Sequence, residues 1–147
     1  MPTTHAMLSV FTYSFMLRMP SEALSAKLAA SKKFDVTAAS FVVVLDKRIG
    51  LRLAKRKNSD APVVMWRDCC CKPDKPSATC PVHSFGNRLR EQGPNVDVFK
   101  CVPKNKAIRV VRHALAVVGI RNTAAYGTHD FRRGHAYCTT CLSREPR

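Results

Sequence analysis

Phe41-Val42-Val43-Val44-Leu45, Ile49-Gly50-Leu51-Arg52-Leu53-Ala54 and Pro62-Val63-Val64-Met65-Trp66 are the three runs whose reading decides the fold. The first is rich in β-branched side chains, which pack well on a pleated surface. In the second, Ile49, Leu51 and Leu53 alternate with Gly50, Arg52 and Ala54, the period of a half-buried strand. The turn through Asp46 to Arg48 and the charged run Lys55-Arg56-Lys57-Asn58-Ser59-Asp60 are short, so consecutive strands must pair antiparallel. Flanking segments carry helical patterns. The expected class is therefore α+β: a mainly helical domain with a small three-stranded antiparallel sheet.

Upstream, Ala6 to Leu17 is apolar almost all round, as a helix buried in a domain is. Pro20 breaks it, and Ser21 is placed to cap a second helix running to about Ser31, with Leu24 and Leu28 on its inner face. Downstream, Pro81 opens a short helix that ends before Gly93. The clearest helix is Asn105 to Gly119, with Ile108, Val111, Leu115 and Val118 as an inner stripe and Gly119 as its stop. One domain over 1–147 is expected: helical over 1–31, sheet over 40–67, a Cys/His loop over 69–83 and helical again over 84–137.

Charge narrows the partner. The 147 residues carry 25 Lys and Arg against 10 Asp and Glu, a net +15, while 46% of the residues are hydrophobic. The second figure is that of a chain that folds, and the first exceeds what solubility needs. A polyanion such as DNA is the expected partner. No long stretch is both basic and strongly amphipathic, so a membrane partner is not expected. Ala6 to Leu17 has no Lys or Arg before it and is too short to span a bilayer. The chain is expected to be intracellular, nuclear in a eukaryote and cytoplasmic in a bacterium.

Seven cysteines in such a chain are expected to be reduced, and they cluster rather than spread as a disulfide framework does. The run Cys69-Cys70-Cys71 followed by Cys80-Pro81-Val82-His83 reads as C-x-C-x8-C-x2-H. Cys69, Cys71, Cys80 and His83 are a thiolate–imidazole set suited to one closed structural zinc site. The Pro- and Lys-rich loop between the pairs cannot pack a core, so a metal staple has work to do there. Cys70 can replace either neighbour, and a loop of unligated thiols is the plain alternative.

Near the C-terminus stands Thr128-His129-Asp130-Phe131-Arg132-Arg133-Gly134-His135-Ala136. His129 and Arg132, three apart, share one face of a helical turn and can offer a phosphate an imidazole and a guanidinium fork. This string resembles the H-x-x-R box of the tyrosine recombinases, the phage integrase family. Leu17-Arg18-Met19-Pro20-Ser21-Glu22-Ala23-Leu24 is similar to that family's first arginine box, with arginine and glutamate four apart where the family has three. Cys80-Pro81-Val82-His83 also echoes a segment that follows the small sheet in many integrases, where no metal is needed.

The resemblance implies a DNA-integrating and recombining catalytic domain. Arg18 and Arg132 would neutralise the reacting phosphate, His129 would assist proton transfer, and Lys57 in the second hairpin turn would serve the leaving oxygen, with Lys55 as its substitute. That chemistry needs no cofactor. It implies DNA and other recombinase protomers as partners. The family's nucleophilic tyrosine lies well beyond the box, whereas the sequence ends at Arg147. Tyr137 follows Arg132 too closely, and Tyr13 and Tyr126 precede the box. The expectation is a C-terminally truncated domain with an incomplete catalytic set, which binds DNA without cutting it. The alternative is a small zinc-stapled nucleic-acid-binding protein unrelated to recombinases.

Overall fold

The computed structural model describes residues 4–29, 39–56, 58–93 and 96–134. Its elements run α1 (Thr4–Ser14), a π-helical turn (Met19–Ala23), β1 (Lys27–Leu28), β2 (Phe41–Val44), β3 (Arg48–Leu53), β4 (Val63–Asp68), α2 (Pro81–Gln92) and α3 (Ala107–Val117), with short 3-10 turns at Lys104–Lys106 and Thr123–Ala125. The class is α+β, as read.

The three expected strands are present and antiparallel. Val42 pairs with Leu51 and Val43 with Gly50 across β2 and β3, and Gly50 pairs with Trp66 and Leu51 with Met65 across β3 and β4. A fourth strand extends the sheet: Lys27 and Leu28 run parallel to Phe41 and Val42, giving the order β1-β2-β3-β4. The sheet is therefore mixed rather than purely antiparallel.

That fourth strand replaces much of the helix expected from Ser21. Helical turns persist to Ala23, with Glu22 N–H bonded to the Arg18 carbonyl at 2.8 Å. Beyond Ala26 the backbone is taken up from both sides. Lys27 N–H reaches the Ser40 carbonyl, Ala29 N–H that of Val42, and Leu28 N–H that of Val96. Lys27 also pairs with Asp97 at 3.8 Å. Leu28 becomes fully buried. Lys27, Leu28 and Ala29, all good helix formers, thus yield to pairing partners distant in sequence, since propensity is a weak prior of tenths of a kcal/mol per residue.

Helix α1 stops three residues short of Leu17 because Met16 takes a left-handed conformation, φ 53°. Leu17 N–H then bonds the Thr12 carbonyl at 2.9 Å, the long closing bond of a C-cap. The core sits between α1, α2 and the inner face of the sheet. Phe11 is its centre, with ring centroids 4.7 Å from Phe85, 5.2 Å from Phe15 and 5.7 Å from Phe99. Ile49, Leu51 and Leu53 close it from β3, as the alternation requires.

The stripe expected on α3 is only half realised. Val111 is buried and Leu115 packs partly against the core, but Val118 is 73% exposed. The helix has ended by then. Gly119 at φ 87° turns the chain, and Ile120 N–H bonds the Leu115 carbonyl at 3.0 Å. No helix among the described residues is long and apolar enough to cross a membrane.

Candidate functional site

Two groupings of polar side chains stand out, and each is assembled by elements just described. The first forms where β4 runs out and α2 begins. Cys69 follows the last β4 residue, and its N–H is held by the Lys47 carbonyl at 2.7 Å. Cys71 comes next, then a tight turn in which Lys75 N–H bonds the Lys72 carbonyl. A second turn is fixed by the Ser77 and Thr79 hydroxyls, 2.8 Å apart. Cys80 then sits at the N-cap of α2, with Pro81 opening the helix and His83 on its first turn.

The donor atoms of Cys69, Cys71, Cys80 and His83 all lie within 4.8 Å of one another, a group that can hold a metal ion. Cys80 Sγ is 3.7 Å from Cys69 Sγ, and Cys69 Sγ is 3.7 Å from His83 Nδ1. A disulfide is excluded at that separation, since bonded sulfurs lie about 2.0 Å apart. Around a tetrahedral ion with metal–sulfur bonds of about 2.3 Å, by contrast, sulfurs stand roughly 3.8 Å apart. The outer shell is present as well: Cys71 N–H points at Cys69 Sγ at 3.4 Å, and Ser77 N–H at Cys71 Sγ at 3.3 Å. Such bonds orient the sulfurs as ligands.

The thiols respond to different surroundings. The Ser77 N–H, followed by the Cys80 and Cys69 side chains, lowers the Cys71 thiol from its ordinary value against some desolvation. Burial pushes the Cys80 thiol up to about 11, with the neighbouring thiols adding to it. Cys70 is exposed and turned toward the Asp68 carbonyl, outside the group. Among the described residues the C-x-C spacing therefore uses its outer two cysteines.

The second grouping is cationic. Arg18, Arg56, Asn58, Ser59 and Arg132 line one depression of about 220 Å³. Glu22, 6% exposed, links two of these residues. One carboxylate oxygen accepts the Arg18 backbone N–H at 2.8 Å, and the other lies 3.7 Å from Arg56 Nε. Arg56 also donates from Nη2 to the carbonyl of Met16 at 3.1 Å, which ties the β3–β4 hairpin to the end of α1. Arg132 arrives from residues 130–134, a helical turn anchored by Phe131 against the core and by Asp130, whose carboxylate accepts the Gly127 N–H and pairs with Arg133. Arg133 is thereby engaged locally, while the Arg18 and Arg132 side chains form no ion pair with a described residue.

Thus Arg18 and Arg132, from the two sequence boxes, share a depression. His129 is exposed, and its backbone carbonyl accepts the Arg132 and Arg133 N–H groups; it does not line this depression. Lys55 is exposed and off the lining too. Lys57 lies outside the described residues, between Arg56 and Asn58, which line the depression. Tyr137 lies outside them also. Arg56 was hidden in the run Lys55-Arg56-Lys57, which reads as a solvated turn. Its only sequence signal is that a hairpin tip follows the Glu22 box at a distance that no local pattern measures. Other cations are spent on structure: Arg67 Nε donates to the Ser14 carbonyl at 2.6 Å, and Arg48 stacks over Trp66 at 4.5 Å.

No family model, curated protein or solved structure matches the chain. Function has to be read from these two groupings.

Proposed function

We propose that the chain is a DNA-binding domain of the tyrosine recombinase kind, which grips a backbone phosphate with Arg18, Arg56 and Arg132. The observation that supports this reading is the convergence of Arg18 and Arg132 on one depression, with the tip of the β3–β4 hairpin beside them. A planar guanidinium fork matches phosphate oxygens in pairs. In strand exchange the same groups would neutralise the charge that builds on the non-bridging oxygens. Lys57 would serve the leaving oxygen and His129 a proton transfer. In this reading Cys69, Cys71, Cys80 and His83 hold one structural zinc. Three thiolates and an imidazole make a closed set with no open position for substrate, and the phosphate chemistry does not use it.

The test is binding to duplex DNA across a salt series. With about 5 phosphates neutralised, affinity falls roughly 500-fold between 50 and 200 mM salt, because the log–log slope is about −0.9 per phosphate. Arg18→Ala and Arg132→Ala should each weaken binding and flatten that slope. Salt-independent binding, or none at low salt, overturns the reading.

The Cys/His group favours a second reading, a zinc-stapled nucleic-acid-binding protein unrelated to recombinases. Under it, both arginine variants bind DNA as the parent does, and removal of the metal abolishes binding.

A further inference from the structure

A third cluster belongs to neither grouping. Lys106, at the N-cap of α3, and Arg109 and His113 within it stand at i, i+3 and i+7, so they share one side of that helix. His5, on the first turn of α1, faces them across a depression of about 460 Å³, with the loop at Cys101 and the buried Val102 between. No carboxylate is among the described residues lining it. Nor do the Lys106, Arg109, His113 and His5 side chains make an ion pair or hydrogen bond with any described residue.

A cationic stripe on a convex helix face is ordinarily just solvated. Here the groups come from two elements and line a concave surface, where the fixed charges of Lys106 and Arg109 stand beside two imidazoles without a carboxylate to balance them, an arrangement that suits an anion. A metal does not suit it: the nitrogens of His5 and His113 and the Cys101 sulfur are not among the donor atoms that gather to ligand distance.

We infer that this depression is a second phosphate-binding site, separate from the Arg18–Arg132 depression. Arg109 supplies the fork, Lys106 a point charge, and the two imidazoles the remaining donors. Its phosphate is either that of a nucleic-acid backbone, in which case the chain grips a duplex at two places, or a free phosphate group. The inference rests on its own residues and not on the recombinase reading.

The experiment follows the His113 and His5 imidazole resonances by NMR while inorganic phosphate, and separately a short duplex DNA, is added to the full chain. The expected result is a saturable shift with duplex that is lost in the double variant Lys106→Ala/Arg109→Ala and kept in Arg132→Ala. The double variant should also lower the salt slope of DNA binding by about 0.9, one phosphate. A shift with inorganic phosphate alone upholds the site and assigns it to a small phosphate. Resonances unmoved by both probes overturn it, whether or not Arg132→Ala has shown that DNA binds at the first depression.

Discussion

The carboxylate of Glu22, 6% exposed, holds two parts of the arginine depression at once: the backbone N–H of Arg18 at 2.8 Å and the Arg56 guanidinium at 3.7 Å. A buried carboxylate is tolerated only when charge and hydrogen bonds compensate it, and here both do. It couples an N-terminal turn to a hairpin tip that sequence separates widely.

Glu22→Gln keeps the side-chain volume and can still accept the Arg18 N–H, but it removes the charge opposite Arg56. Arg56 is 24% exposed, so water recovers part of the loss. The expected destabilisation is about 2 kcal/mol. Urea unfolding should show a lower midpoint at an unchanged slope. An unshifted midpoint would mean that the pair contributes nothing to the fold.

Cys80 is the most buried of the four metal-competent residues and caps α2. Cys80→Ser should abolish zinc uptake in native mass spectrometry and lower thermal stability, because metal binding and local folding are one event. Cys70→Ser should leave both unchanged, since its sulfur points away from the group. Stoichiometric zinc that survives Cys80→Ser would remove this assignment.

Gly119 sits at φ 87°, and a Cβ there would meet nothing within 4 Å. The penalty for Gly119→Ala is therefore backbone strain alone, about 1 kcal/mol. Chemical denaturation measures it directly. A neutral result would show that the α3 cap rearranges freely.

Tyr13 and Tyr126 line an apolar cavity of about 240 Å³ beside Phe131, not the arginine depression. An attacking oxygen must lie about 3 Å from phosphorus and in line with the leaving group, which neither can do from there. Binding without cleavage is the expected outcome: DNA carrying a nick-trapping phosphate analogue should give no covalent adduct on a denaturing gel. An adduct that disappears in Tyr137→Phe would prove otherwise.

The sequence by itself determined what depends on near neighbours. Alternation at Ile49, Leu51 and Leu53 marked β3, Pro81 and Gly93 bounded α2, and Gly119 stopped α3, since turn, cap and period signals act within a few residues. The Cys69, Cys71, Cys80 and His83 set was legible for the same reason, lying within one loop. Tertiary structure alone decided whatever rests on distant partners. Lys27 and Leu28 became a strand because Ser40, Val42 and Val96 offered hydrogen bonds. The outer face of α3 stayed in water because the core closed at Val111 and Leu115. Cys69 and Cys71 were chosen over Cys70 by where the β4 exit aims each sulfur. Arg56 became a neighbour of Arg18 and Arg132 through the buried Glu22 and the Met16 carbonyl, for side-chain convergence is a property of packing, and packing leaves no period in the chain.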